Sequence, residues 1–177
     1  YLDKLGLREV EDSRITPEVG GWNADSRPSN MPFEHCVESW CVNQSKSFIE
    51  DSGDTPFFLH CSFPRPHHQL TPDQRFLDQI PEDIGVPPEF DADGSHRPPH
   101  FQRQHQAWRE KHGDDFLRIA RLRWKGYLAS ITHMDHAVGQ LLSYLDEKGL
   151  ADNTLVVFNA DHGGYMCQFG IREKAPG

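Results

Sequence analysis

The chain has 177 residues, and 18 lysines and arginines against 27 aspartates and glutamates leave it a formal charge of −9. Apolar residues at 36% and aromatics at 11% are enough for the core of one domain or of a piece of one, and they exclude wholesale disorder. The acidic balance argues against nucleic acid and anionic membranes as partners, and no apolar run approaches the roughly 18 residues of a membrane span, so a soluble chain is expected.

The sequence starts at Tyr1 within polar residues and stops at Lys174-Ala175-Pro176-Gly177 without a closing element, so it reads as the interior of a longer protein. Cys36, Cys41, Cys61 and Cys167 match the spacing of neither a zinc ribbon nor a dense disulfide framework. Residues 1–35, with Gly20-Gly21, Pro17, Pro28 and Pro32 among scattered charges, predict irregular surface. From His35 to Asp51 the positions Val37, Trp40, Cys41, Phe48 and Ile49 share a helical face and predict a helix. Phe57 to Phe63 is a short apolar run bounded by prolines, which predicts a strand buried on both faces.

Between Thr71 and His112, Pro81, Pro87-Pro88 and Pro98-Pro99 argue against long regular elements and predict a surface excursion able to cover a site. From Asp114 or Asp115 to Gly149, apolar residues from Phe116 through Ile119, Trp124, Ile131, Val138 and Leu145 keep helical spacing. A bend near Gly126 or Gly139 is expected. Thr154 to Phe158 predicts a second buried strand, which ends at Asn159-Ala160-Asp161-His162-Gly163-Gly164. Strand, excursion, long helix, strand is the order of an α/β layered fold with parallel strands, whose sites lie beyond the carboxyl ends of the strands.

Two polar clusters fall at those ends. Asp161-His162-Gly163 offers an oxygen and a nitrogen ligand, although the same residues suit a capped turn beside an exposed histidine. Pro66-His67-His68 suits a general acid or a ligand, or a solvated loop. His96, His100, His105 and His112 lack a cysteine or carboxylate at ligand spacing and read as solvated loop residues. His133 and His136 read as structural or exposed, with Asp135 a candidate for a buried pair, and Arg118, Arg121, Arg123 and Lys125 read as the wet face of the helix.

Taken jointly, Pro56-Phe57-Phe58-Leu59, Ser62-Phe63-Pro64-Arg65-Pro66-His67, Tyr127 to Ile131, Met134-Asp135, Val138 to Leu142, Leu150 to Phe158, Asp161-His162-Gly163, Gly170 and Lys174 resemble the sulfatase family of the alkaline-phosphatase-like superfamily over residues 36–177. The resemblance implies part of a single catalytic domain, a three-layer α/β sandwich with a mostly parallel sheet. It implies a divalent cation, usually Ca2+ with Mg2+ or Mn2+ as alternatives, held by Asp161 and His162. It assigns Lys174 to the sulfate and His67 to the leaving oxygen, with a small-molecule or carbohydrate sulfate ester as substrate. A formylglycine nucleophile, made from Cys or Ser in C/S-x-P-x-R, is expected outside these residues: Cys61-Ser62-Phe63-Pro64-Arg65 has its proline one place late. Cys167 and Phe169 stand where many members have Gly and His. By family alone, the compartment is periplasmic, secreted or lysosomal. Alternatives are a phosphonate monoester or phosphodiester hydrolase of the same superfamily and a degenerate binding protein. An α/β sheet without its early strands would leave apolar faces open, so aggregation of the 177-residue chain is expected.

Overall fold

The chain was analysed as a computed structural model, which describes residues 1–12, 26–67, 69–92 and 95–171. Its organising element is a 32-residue helix, about 48 Å long, on which three shorter helices pack. In chain order the helices are α1 (Arg8–Asp12), α2 (Val37–Ser52), α3 (Gln74–Leu77), α4 (Pro99–His112) and α5 (Phe116–Glu147), interspersed with short 3-10 turns.

The apolar seam of α5 buries three separate clusters along its length. At its start, Phe116, Ile119 and Ala120 meet Trp108 of α4, Phe90 and Cys167. At its middle, Ala129 meets Phe76 and Leu77 of α3. Near its end, Tyr144 and Leu145 meet Ile49 of α2, with Phe57, Leu59 and Leu150 packed around them. Lys148 pairs with Glu50 at 2.9 Å, joining the ends of α2 and α5.

The three-layer α/β sandwich with a parallel sheet is not found: among the described residues there is no strand and no sheet. The two apolar runs that predict buried strands have no ladder partner. Along residues 57–63 the odd positions are half-buried and the even positions exposed, the period of an extended chain with one covered face. Phe58 is 91% exposed. Residues 155–158 are all exposed. Hydrophobicity alone does not make a strand, because its backbone groups need a second strand to bond.

Other expectations change for local reasons. Pro98-Pro99 starts α4 instead of breaking the chain, since Pro99 fills the first helical turn, where no intrahelical N–H bond is lost. His100, His105 and His112 therefore lie on a helix. The buried face of α2 is Glu38, Ser39, Val42, Ser45 and Ile49, whereas Trp40 and Phe48 are largely exposed. Arg123, expected on the wet face of α5, is buried, and Asp135 is exposed. α5 runs without interruption through Gly126 and Gly139. At Gly126 a Cβ would lie 1.8 Å from Ser26 Oγ, so this glycine serves the close approach of the chain around Ser26. Part of the irregular segment expected over residues 1–35 forms short helices, from Leu2 to Leu5 and in α1, and residues 13–25 lie outside the described residues.

Candidate functional site

The turn after the first apolar run is built from its buried base outward. Arg65 and Glu38 form a buried ion pair between this turn and α2. The second guanidinium nitrogen of Arg65 donates to the Thr71 carbonyl at 2.8 Å, closing the loop on itself. Leu70, Thr71 and Pro72 are buried behind it, and the Ser29 N–H donates to the Pro72 carbonyl at 2.8 Å. His67 sits exposed at the tip, its N–H donating to the Pro64 carbonyl at 2.9 Å. An anchored base below an accessible imidazole is what a proton donor to a bound substrate requires.

The second turn holds Asp161 and His162. The Asp161 carboxylate accepts from the His162 N–H at 2.8 Å, and its other oxygen lies 3.4 Å from His162 Nε2. Nδ1 of His162 lies 2.8 Å from the Gly163 carbonyl, an arrangement that places the proton on Nδ1 and leaves Nε2 with a lone pair in the neutral ring. The lone pair and the carboxylate oxygen face each other at a separation that one shared cation can bridge. Two ligands at about 2.4 Å on adjacent positions of one cation stand about 3.4 Å apart, so the pair fits a divalent ion. Lys174 and His68 lie outside the described residues.

Glu38 belongs to a further cluster, Cys36, Glu38 and His133, whose ligand atoms all lie within 4.8 Å of one another. The histidine and the thiol find hydrogen-bond partners without a metal, whereas Oε1 of Glu38 is buried with no partner among the described residues. The Asp73 N–H points at His133 Nδ1 at 3.5 Å, so the neutral ring carries its proton on Nε2, 3.6 Å from Cys36 Sγ. The Cys36 thiol donates to Ser39 Oγ at 3.3 Å, and Ser39 donates to the Phe33 carbonyl at 2.7 Å. The ring stacks on Phe76 with centroids 4.5 Å apart and on Phe33 at 5.4 Å. Burial, helped by the Arg65 cation, drives the His133 pKa down to about 3. Burial also pushes the Cys36 thiol up. His133 is a neutral structural histidine, as its helical position suggested.

Between α4 and the turn around Phe169 lies a cleft of about 430 Å³. The Arg97 guanidinium lies over the Phe169 ring at 3.7 Å, and Tyr165 packs on Phe101 with centroids 5.8 Å apart, so the loop after His162 forms one wall of the cleft. Phe169 donates its N–H to the Glu89 carbonyl at 2.9 Å.

The sulfatase family model matches residues 12–175. The chain belongs to the sulfatase family. An arylsulfatase of Clostridium perfringens is 33% identical over 142 residues, covering 80% of this chain and 29% of that protein. An ulvan-active sulfatase of Formosa agariphila is 31% identical over 161 residues, 88% of this chain and 25% of its own length. A choline-sulfatase of Rhizobium meliloti is 28% identical over 123 residues, covering 69% and 24%. The chain thus spans 24–29% of the length of these curated relatives. In this sulfatase chain, Cys167 and Phe169 both adopt left-handed backbone, with φ of 73° and 53°. A glycine would adopt the backbone of position 167 without strain, and the buried thiol here packs into the cluster at the start of α5.

The residues that sequence reasoning missed are Glu38, Arg65 as an anchor, and Arg97. A glutamate inside the core-facing stripe of α2 was the available signal for the first.

Proposed function

We propose that the whole protein hydrolyses organic sulfate esters, with sulfated carbohydrates as the substrate class. The observation that carries this reading is the convergence of Asp161 and His162 in a chain of the sulfatase family. When bound, a divalent cation held by Asp161 and His162, with calcium the first expectation, polarises the ester's oxygens and offsets the charge that develops on them. His67, held up on the Arg65 base, gives a proton to the leaving oxygen. Lys174 supplies a compact positive charge to the sulfate. The nucleophile is a formylglycine outside residues 1–177.

The test is steady-state kinetics of the full-length protein on 4-nitrophenyl sulfate, an alkyl sulfate and phenyl phosphonate. Sulfate esters are expected to be the better substrates, and preference for the phosphonate would favour the phosphonate hydrolase instead. His67→Ala should lower kcat on the alkyl sulfate by about 10²–10⁴, with a much smaller loss on 4-nitrophenyl sulfate, whose leaving group needs little protonation. An equal loss on both removes His67 from the role of acid. Residues 1–177 alone should turn over no aryl sulfate, and robust hydrolysis by them would place the nucleophile within this chain.

A further inference from the structure

The cleft between α4 and the loop after His162 is not used by the chemistry above. Its volume, about 430 Å³, falls in the range of small-ligand sites. Phe101 and Phe169 give it apolar wall, and Glu110 adds a carboxylate that Gln106 donates to at 2.8 Å. Gln102 donates to the Ser95 and Arg97 carbonyls, so both amides offer a ligand their oxygens. Its two arginines differ. Arg109 is already engaged, donating to Asp91 at 3.3 Å and to His105 at 2.6 Å. Arg97 has no carboxylate partner among the described residues. Its Nε is buried without a hydrogen-bond acceptor, and its guanidinium is held over the Phe169 ring.

A guanidinium fixed flat on an aromatic face in a cleft, with an unsatisfied N–H, lacks an oxyanion. The wall residue Phe169 lies on the loop that continues from His162, seven positions after it, a chain reach of at most about 25 Å.

We infer that this cleft binds an acidic sugar unit, next in the chain to the unit carrying the cleaved ester, with Arg97 pairing with its carboxylate or second sulfate. This rests on the sulfatase reading for the identity of the neighbouring site, but not for the binding itself. Aromatic wall for the sugar's C–H face, amides for hydroxyls and one planar cation for the anion form the set such a unit requires.

The experiment is calorimetric titration of full-length protein with a κ-carrageenan tetrasaccharide, which carries sulfate only, and with a galacturonic acid hexamer, which carries carboxylate only. At least one should bind, and the tighter one identifies the anion. Arg97→Gln should weaken that binding tenfold or more. Arg109→Gln, which removes a cation of the same wall already committed to Asp91 and His105, should weaken it less than threefold. Arg97→Lys, which keeps the charge without the planar fork, should fall between. Binding of neither probe, or equal effects of Arg97→Gln and Arg109→Gln, overturns the inference. Because binding is read without turnover, Arg97-dependent binding by a protein that cleaves no sulfate ester sinks the proposed function alone. Sulfate ester cleavage with unchanged binding by Arg97→Gln sinks this inference alone.

Discussion

Glu38 and Arg65 are a carboxylate and a guanidinium taken almost wholly out of water, with side-chain exposures of 1% and 6%. Breaking such a pair leaves one buried charge uncompensated, so Glu38→Ala should cost about 3–5 kcal/mol in denaturant unfolding. The paired replacement Glu38→Leu with Arg65→Met should recover most of that loss, because no orphan charge remains. His133 adds a pH dependence of definite sign. Its folded pKa is depressed from 6.5 to about 3, so above about pH 6.5 the ring is neutral in both states and has no effect. As pH falls from about 6.5 toward 3 the unfolded chain takes up a proton that the folded chain refuses. Stability then drops by up to about 1.4 kcal/mol per pH unit. His133→Gln should flatten this segment of the stability profile, and an unchanged slope would remove His133 as its cause. At this scale the sequence shows neighbours that are local, as Asp161 accepts from the N–H of the next residue, His162. It was silent where a partner lies far along the chain, as Glu38 lies from Arg65.

Helices were easier to read than the surfaces they present. α2 and α5 follow their apolar periodicity closely in extent, Val37–Ser52 and Phe116–Glu147. α4 was hidden because Pro98-Pro99 reads as a break, although a proline in the first turn of a helix costs nothing. The covered face of α2 was misread because burial of Glu38 depends on Arg65, which no helical period encodes. Gly126 predicted a bend by composition, but its surroundings give it a steric role. Gly126→Ala should lower stability by about 1–3 kcal/mol, since the new methyl would overlap Ser26 and crowd Leu70 Cβ at 3.3 Å. Gly139→Ala meets nothing within 4 Å and is expected to be neutral or slightly stabilising in the same thermal melts.

At the scale of the whole molecule, the apolar runs were found but their state was not, because a strand is a relation between two segments. Leu155 is 90% exposed, Val157 75% and Phe158 70%, in one continuous stretch. Exposed apolar surface of this kind, with unpaired backbone, is a template for association. The 177-residue chain should bind ANS strongly and self-associate at micromolar concentration in sedimentation velocity. A monomer with a sharp, reversible melt would contradict this. The placing of three small clusters along one helix has a different consequence. α2 ties the Tyr144 cluster to the middle one, through Cys36 beside His133 and Ser39 on the Phe33 carbonyl, whereas the cluster at the start of α5 shares no buried residue with the Tyr144 cluster among the described residues. Coupling between those two ends runs along α5. One end can open while the other stays closed, and the segment bearing Cys167 then has a local lifetime of its own, set by Trp108 and Phe116, with little sensitivity to damage near Tyr144.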